Sequence, residues 1–331
     1  MTTTRALFVV VLVSLALAIG CSAVPRKTAR IYELKKGDFS MRVTNWGATI
    51  LSVILPDSKG NLADVALGYK GIGPYINGTT NFGALVGRVA NRIAGSRFVL
   101  NGTAHRLYPN DGKNSLHEAS AAFFGRFSRR PGRLRHIQPF WTIRIERDHE
   151  SFPPEQSHAC ESGPAQLLEP CGPQVRFDSV QFRPDLCLVH HPVNDELIPT
   201  GAITPIAGTA FDFLEPETVG SRINETKGGY DMNFVVDGGE KGVGLKKVAI
   251  VKDGKSGRRM ELWANQPGVQ FYTGNFLDHV EGKGGVIYEK HDGLCLETQG
   301  FPDSVNHPNF PSQIVVPGEV YKHDMIFKFS F

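Results

Sequence analysis

The chain lacks the short patterns that most directly indicate a chemistry. It has five cysteines in 331 residues, and none of them stands in a CxxC pair or at the Cys/His spacing of a zinc site. It has no glycine-rich phosphate loop, no nucleophile elbow and no run of interleaved aromatic and basic residues. Its formal net charge of +3 indicates no nucleic-acid partner. These absences disfavour disulfide-stapled, zinc-binding, nucleotide-binding and nucleic-acid-binding classes.

No apolar run is long enough to cross a bilayer as a helix. The N-terminal run over 6–19 has about 14 residues, whereas a span needs about 20. Arg5 precedes this run and small residues follow it, which is the three-part pattern of a secretory signal peptide over 1–23. We therefore expect a secreted, extracellular chain with no membrane association after cleavage. An uncleaved membrane anchor is the alternative.

Asparagine-linked glycosylation would follow from secretion. Asn-x-Thr sequons begin at Asn77, Asn101 and Asn224. The sequence predicts a glycoprotein if the host glycosylates its exports.

Lysine disappears over one long internal stretch. Residues 119–191 contain nine arginines and no lysine, whereas the rest of the chain has eleven arginines and sixteen lysines. The same stretch lacks Tyr, Asn and Met and holds eight prolines. Proline interrupts the pairing of central strands, so we expect 119–191 to be poorly ordered, next to exposed apolar sheet surface.

Outside that stretch the pattern is typical of strands. Residues 39–57 carry β-branched and aromatic residues before a Pro-Asp turn, and Asn101-Gly102 lies between two short runs as in a hairpin. Residues 230–276 alternate strands with glycine turns, and 319–331 close the chain with period-two alternation. Long helical periodicity is hard to find. The chain therefore reads as one large all-β domain, a sandwich or a barrel.

Four stretches contain polar residues in apolar settings. Asn91-Arg92 in "GRVANRIAG" is either a buried pair that needs partners or an exposed turn. His117 in "NDGKNSLH" is either a structural histidine or a site residue. Asp231 in "GGYDMNFVVD" is either a cap for turn amides or a ligand acceptor.

Glu297 lies in the fourth stretch, "LCLETQ". Because side chains alternate along a strand, Glu297 shares a face with Cys295, and Leu294 and Leu296 point the other way. A carboxylate in an apolar cleft has a raised pKa and is a plausible proton acceptor near neutral pH. A glutamate at a sheet edge, facing water, is the alternative.

Taken together, these stretches resemble the aldose 1-epimerase (galactose mutarotase) family. The motifs that carry the resemblance occur in sequence order over 30–118 and 193–331, and they include "NWGATILSVILPD", "FGALVGRVANRIAGSRFVLNG", "NDGKNSLH", "GYDMNFVV", "QPGVQFYTGNFL" and "LCLETQGFPDSVNHPNFPS". The resemblance implies a large antiparallel β-supersandwich with a sugar-binding cleft over 30–331. It also implies interconversion of the α and β anomers of aldohexoses such as galactose and glucose, with small-molecule aldoses as partners and no cofactor.

The resemblance also assigns roles to residues. Glu297 matches the family's base, which takes the proton of the anomeric hydroxyl, and His117 matches the first active-site histidine, which contacts substrate. The positions that hold sugar hydroxyls are matched by Asn91, Arg92, Asp231 and Gln270. Two positions depart from the family: Glu118-Ala119 replaces a Gly-Gly pair, and Met232 replaces a histidine.

A further departure is the second histidine, the acid for the ring oxygen, which the family carries in a motif like "HSYWNL". The chain has no such string. One permitted codon set for residues 158–174, read one base later, gives T-P-V-N-L-A-Q-H-S-Y-W-N-L-A-G-H. We therefore infer that 119 to about 191 is read out of frame relative to the ancestral gene. Sequencing the transcript across codons 115–195 tests this.

Three functions stay open from the sequence. An active epimerase needs a replacement proton donor, and the candidates considered in the odd stretch are His136, His158, His190 and His191. A sugar-binding pseudoenzyme, or the inactive product of a frame-shifted gene, needs none. A sugar-phosphate epimerase would need extra basic residues around the cleft, which the matched motifs do not supply.

Overall fold

Short runs of β-branched and aromatic residues, separated by turns, build the chain from strands. The computed structural model describes residues 29–78, 80–86, 89–117, 140–147, 150–151, 167–168, 179–183, 187–236, 244–316 and 321–331. The described strands are, in chain order, β1 (Ile31–Lys36), β2 (Phe39–Thr44), β3 (Thr49–Pro56), β4 (Leu62–Asp64), β5 (Arg92–Ile93), β6 (Arg97–Leu100), β7 (Thr103–Arg106), β8 (Ser115–Leu116), β9 (Phe140–Arg147), β10 (Glu150–Ser151), β11 (Leu167–Leu168), β12 (Ser179–Phe182), β13 (Val189–His190), β14 (Thr204–Pro205), β15 (Glu217–Thr218), β16 (Asp231–Val235), β17 (Lys246–Lys252), β18 (Arg259–Ala264), β19 (Gly268–Tyr272), β20 (Val280–Glu281), β21 (Ile287–Tyr288), β22 (Leu294–Gln299) and β23 (Lys322–Ser330). A short helix, α1 (Ile72–Asn77), follows β4.

The strands form three larger sheets. Their strand orders are β1-β2-β3-β4, β10-β9-β23-β18-β17-β12-β15 and β11-β22-β19-β16-β13-β14. Three further pairs are β5-β8, β6-β7 and β20-β21. The pairing is antiparallel throughout the described strands except between β9 and β23, which run parallel. The predicted all-β, antiparallel architecture is confirmed, and so is the β6-β7 hairpin around Asn101-Gly102.

The main core lies where the seven-stranded and six-stranded sheets contribute apolar residues to one cluster. Phe182 stacks on Phe234 with ring centroids 4.3 Å apart, and Phe213 meets Phe271 edge to face at 5.4 Å. On β23 the burial alternates residue by residue, with Met325 and Phe327 pointing into this cluster. Burial of such side chains contributes roughly 1.5–3 kcal/mol each to folding. The core therefore fixes the six-stranded sheet that carries the site.

The C-terminal end of the unusual stretch belongs to this core. Val180, Phe182 and Cys187 are fully buried, and β12 pairs with β17 over four residues. The poor order expected for 119–191 therefore does not extend to 179–183 or 187–191. Residues 118–139, 148–149, 152–166, 169–178 and 184–186 lie outside the described residues, as does the predicted signal peptide.

Ile31–Phe331 form one compact unit. In the part of the chain that is described, no helix is long and apolar enough to cross a membrane.

Candidate active site

A cavity of about 270 Å³ opens at one end of the six-stranded sheet. Six residues predicted from the sequence line it: Asn91, Arg92, His117, Asp231, Gln270 and Glu297. The first and last of them, Asn91 and Glu297, are 206 residues apart in the sequence, so the fold brings the set together. Their roles in catalysis and binding stay predictions.

Three adjacent strands supply the floor of the cavity. In the pairing register, Gln270 of β19 lies opposite Glu297 of β22, and Tyr272 lies opposite both Asp231 of β16 and Cys295. Alternation along β22 places Cys295 and Glu297 toward the cavity. Leu294 and Leu296 point into the main core, as the period-two pattern predicts.

Glu297 is therefore not a sheet-edge glutamate facing water. It sits on a central strand, between β19 and β11. Burial raises the pKa of Glu297 to about 8, and the neighbouring Asp231 carboxylate adds to the rise. The Cys295 thiol donates a hydrogen bond to this carboxylate and, with Arg92, works in the opposite direction. A carboxyl group that exchanges its proton near neutral pH is suited to general acid–base chemistry.

Arg92 is buried between two aspartates. Its Nε donates to Asp111 Oδ2 at 2.8 Å, and its NH1 lies 3.7 Å from Asp231 Oδ2. Asn91 and Arg92 are each only 6% exposed, so the alternative of an exposed Asn-Arg turn is wrong. A buried guanidinium needs such partners because an isolated charge is costly to remove from water.

Gln270 joins the two sides of the cavity. Asn91 Nδ2 donates to Gln270 Oε1 at 3.1 Å, and Gln270 Nε2 donates to Asp231 Oδ1 at 2.6 Å. Burial raises the pKa of Asp231, while Arg92 and the bond from Gln270 lower it. Asp231 thus lines the cavity and accepts from Gln270, and its role as a ligand acceptor stays a prediction.

His117 is held by its backbone and by its ring. The backbone N–H of Asn91 donates to His117 Nδ1 at 3.1 Å, which leaves Nε2 as the nitrogen that carries the proton. Burial, with Arg92 nearby, lowers the pKa of His117 to about 4. The imidazole is therefore neutral at physiological pH and offers an N–H donor.

The two candidate replacement histidines that the structure describes, His190 and His191, do not line the cavity. His190 packs against Phe211 with ring centroids 4.8 Å apart, and His191 is fully buried beside Phe301 and Phe310. His136 and His158 lie outside the described residues. Among the described residues that line the cavity, His117 is the single histidine.

Sequence reasoning missed three residues that support the site. Asp111 pairs with Arg92, although it stands in the quoted motif "NDGKNSLH". Asn233 and Gln299 lie next to Gln270 in the fold. The signal that could have identified this amide pair is the occurrence of amide side chains inside buried strands, where polar groups need partners.

Comparison with known proteins decides the family. The aldose 1-epimerase family pattern matches residues 30–119 and 187–328. The chain is 36% identical to mouse (Mus musculus) galactose mutarotase in an alignment that covers 92% of this chain and 94% of the relative. The chain belongs to the aldose 1-epimerase family. An Escherichia coli aldose 1-epimerase is 29% identical in an alignment that covers 84% of this chain and 88% of that protein.

Solved structures of the epimerase family share the fold. A GalM/aldose epimerase homologue from C. elegans superposes with a TM-score of 0.70 at 21% identity, over 92% of this chain and 99% of that one. A galactose 1-epimerase from Lactobacillus acidophilus gives 0.61 at 19% identity, over 91% and 98% of the two chains. The β-supersandwich predicted from the resemblance is thereby confirmed.

The family match is interrupted where residue usage changes. It stops at 119 and resumes at 187, before the boundary near 191 that the sequence predicts. The family pattern thus includes β13, whose His190 pairs with Phe234. A change of reading frame inside the gap remains a prediction.

Proposed function

We propose that this epimerase-family chain interconverts the α and β anomers of aldohexoses such as galactose and glucose. The observation that carries the proposal is Glu297, a carboxyl group with a pKa of about 8 in a small cavity beside Asn91, Arg92 and Asp231. The cavity volume is close to the lower end of the range for small-molecule sites, which suits a monosaccharide.

In the proposed reaction Glu297 accepts the proton of the anomeric hydroxyl, while a second group gives a proton to the ring oxygen. The ring then opens to the free aldehyde, the C1–C2 bond rotates, and the hydroxyl adds back from the other face of the carbonyl. Arg92, Asp231 and Gln270 hold hydroxyl groups of the sugar, and neutral His117 offers its Nε2–H to substrate. The bond between C1 and the ring oxygen breaks as the aldehyde C=O forms and is remade on reclosure, with proton transfers but no overall change of oxidation state, so no cofactor takes part.

A sugar-binding protein without turnover is the second candidate. The observation that favours it is the single histidine among the described cavity residues, because the family's ring-oxygen acid is a second histidine. Loss of a general acid typically lowers a rate by about 10²–10⁴-fold.

Polarimetry and a binding titration separate these two candidates. Freshly dissolved α-glucose or α-galactose changes rotation spontaneously, so the rate in buffer is subtracted from the rate with protein. A rate proportional to protein concentration supports the epimerase. Sugar binding by NMR titration without any added rate supports the binding protein, and absence of both contradicts both.

A sugar-phosphate substrate is disfavoured by the charges. Arg92 is the one Arg or Lys among the described residues that line the cavity. It already contacts Asp111 and Asp231, so it is not free to neutralise a phosphate. The site therefore fits an uncharged aldose better than its phosphate.

We also propose that the chain is exported through the secretory route. The signal-peptide pattern over 1–23 supports export, and the sequon residues Asn77, Asn101 and Asn224 are all exposed, as glycosylation requires. Expression in a eukaryotic secretory host tests this. We expect protein in the medium that lacks the N-terminal segment and loses mass on glycosidase treatment. Protein retained in the cell with residue 1 intact would contradict it.

A further inference from the structure

The Gln270 amide has one definite orientation at the edge of the cavity. Its Oε1 accepts from Asn91 and its Nε2 donates to Asp231. A side-chain amide has its acceptor at one end and its donors at the other. Flipping Gln270 would set its NH₂ against the Asn91 NH₂ and its carbonyl oxygen against the Asp231 carboxylate. Both cavity-lining partners therefore depend on this orientation.

A second amide pair lies further along the same face of the sheet, away from the cavity. Gln299 Nε2 donates to Gln270 Oε1 at 3.3 Å and to Asn233 Oδ1 at 3.0 Å. Asn233 and Gln299 are 2% and 5% exposed, and neither lines the cavity. Asn233 holds the Gln299 amide in the orientation in which its NH₂ donates to the carbonyl oxygen of Gln270.

His191 stands at the far end of this chain of bonds. Asn233 Nδ2 lies 2.9 Å from His191 Nδ1, so the ring nitrogen accepts and the imidazole carries its proton on Nε2. The backbone N–H of His191 also donates to the Asn233 carbonyl oxygen at 3.1 Å. Phe301 and Phe310 enclose the ring at centroid distances of 4.2 and 4.6 Å. The ring cannot turn without disturbing this apolar cluster, so it fixes which end of Asn233 faces Gln299.

The strand pairing leaves space for Asn233. Gly268 of β19 has no side chain, and a Cβ built there would lie 2.8 Å from Asn233 Oδ1. Glycine weakens a strand interior, and it is typical of places where another group approaches the backbone closely. The sheet therefore accommodates the Asn233 amide at some cost in strand propensity.

We propose that Asn233 and Gln299 are positioning residues for sugar binding, which hold the Gln270 amide in the orientation that engages Asn91 and Asp231. His191 sets the direction of this amide relay, which consists of His191, Asn233, Gln299 and Gln270. The inference rests on the proposed function, because the relay acts on the sugar through Gln270.

A double-mutant cycle tests the relay. Gln299→Met keeps the length and removes the donor, and Gln270→Met removes the group on which the relay acts. Galactose dissociation constants are measured by NMR titration for the wild type, both single variants and the double variant. We expect Gln299→Met to weaken galactose binding by about two- to tenfold when it is introduced into the wild type. Introduced into Gln270→Met, the same substitution should not weaken binding any more. Equal losses in both backgrounds would overturn the proposal.

Gln266→Met is the matched control. Gln266 is as buried as Gln270 but bonds to Asn265 and to the Lys322 carbonyl oxygen, outside the relay. We expect its galactose affinity to equal that of the wild type. A loss as large as that of Gln299→Met would show a general loosening of the fold and overturn the proposal.

A sugar-independent measurement separates failure of the relay from failure of the proposed function. The side-chain NH₂ resonance of Gln270 is assigned by its loss in Gln270→Met. We expect its hydrogen exchange to be slow in the wild type and faster in Gln299→Met. Unchanged exchange would overturn the relay. If the wild type neither binds nor converts sugars, the proposed function fails, and this measurement alone decides the relay.

Discussion

Asn91 and His117 are joined by two backbone-anchored hydrogen bonds that run in opposite directions. The Asn91 N–H donates to His117 Nδ1 at 3.1 Å, and the His117 N–H donates to the Asn91 carbonyl oxygen at 3.0 Å. Both residues adopt left-handed backbone conformations, with φ of 60° and 50°. Such conformations cost free energy in residues other than glycine and concentrate at functional sites. Here the conformations accompany the bond from the Asn91 N–H to Nδ1, and that bond fixes the tautomer of His117.

The fixed tautomer predicts which substitution of His117 preserves function. Glutamine can place an NH₂ near the position of Nε2, whereas asparagine reaches only as far as Nδ1. We expect His117→Gln to keep more activity than His117→Asn, which should lose about tenfold or more in kcat/KM because the donor to substrate is gone. Polarimetric rates for the two variants measure this. The reverse order would show that Nε2 is not the contacting atom.

Glu297 predicts a rise of activity with pH. The base acts when ionised, and its pKa is about 8, so kcat/KM should climb about tenfold per pH unit below 8 and level off above it. His117 has a pKa of about 4 and adds no step between pH 5 and 8. Rates corrected for spontaneous mutarotation in each buffer give the profile. A flat profile from pH 5 upward would contradict the raised pKa.

Cys295 should tune that profile. Its thiol hydrogen bond favours the ionised form of Glu297, so Cys295→Ala should move the rising limb to higher pH and lower the rate at neutral pH by about two- to fivefold. Cys295→Ser is the control, because the hydroxyl keeps a donor on the same face of β22. An unchanged limb in Cys295→Ala would show that the thiol does not act on the carboxylate.

The raised pKa of Glu297 also predicts a pH-dependent stability difference. Folded protein keeps this proton up to about pH 8, whereas the unfolded chain releases it near the ordinary glutamate value of 4.5. The associated stability is fully present below 4.5 and is lost as the pH rises to 8. Glu297→Gln cannot ionise. The difference between its free energy of unfolding and that of the wild type should therefore increase from pH 5 to pH 9, by about 1.4 kcal/mol for each unit of pKa shift. Denaturant titrations of both proteins at pH 5 and pH 9 measure this. A difference in unfolding free energy that does not change with pH would contradict the raised pKa.

Local chemistry made much of this fold predictable. The Asn101-Gly102 turn gives the β6-β7 hairpin because both residues accept positive φ. Period-two alternation assigns Glu297 and Cys295 to one face of β22 because successive side chains of a strand point to opposite faces. Both features depend on neighbours in the sequence, which a single chain displays directly.

Long-range pairing was not predictable in the same way. The bonds of Gln270 to Asn91 and Asp231 span 179 and 39 residues, and only the strand order brings them together. The parallel pairing of β9 with β23 and the burial of His191 likewise follow from which strands become neighbours. Family motifs supplied the site residues, whereas Asn233 and Gln299 became visible only through their hydrogen bonds.

The mutarotation rate of Glu297→Gln tests most directly whether Glu297 is the base. The amide keeps the size of the side chain but cannot accept the anomeric proton as a carboxylate does. The mutarotation of α-galactose is followed by polarimetry, and we expect the wild type to exceed the rate in buffer. In Glu297→Gln the rate above buffer should be about 10²–10⁴-fold lower, while its thermal unfolding remains cooperative. A variant that folds and turns over α-galactose at the wild-type rate would contradict the assignment of Glu297 as the base.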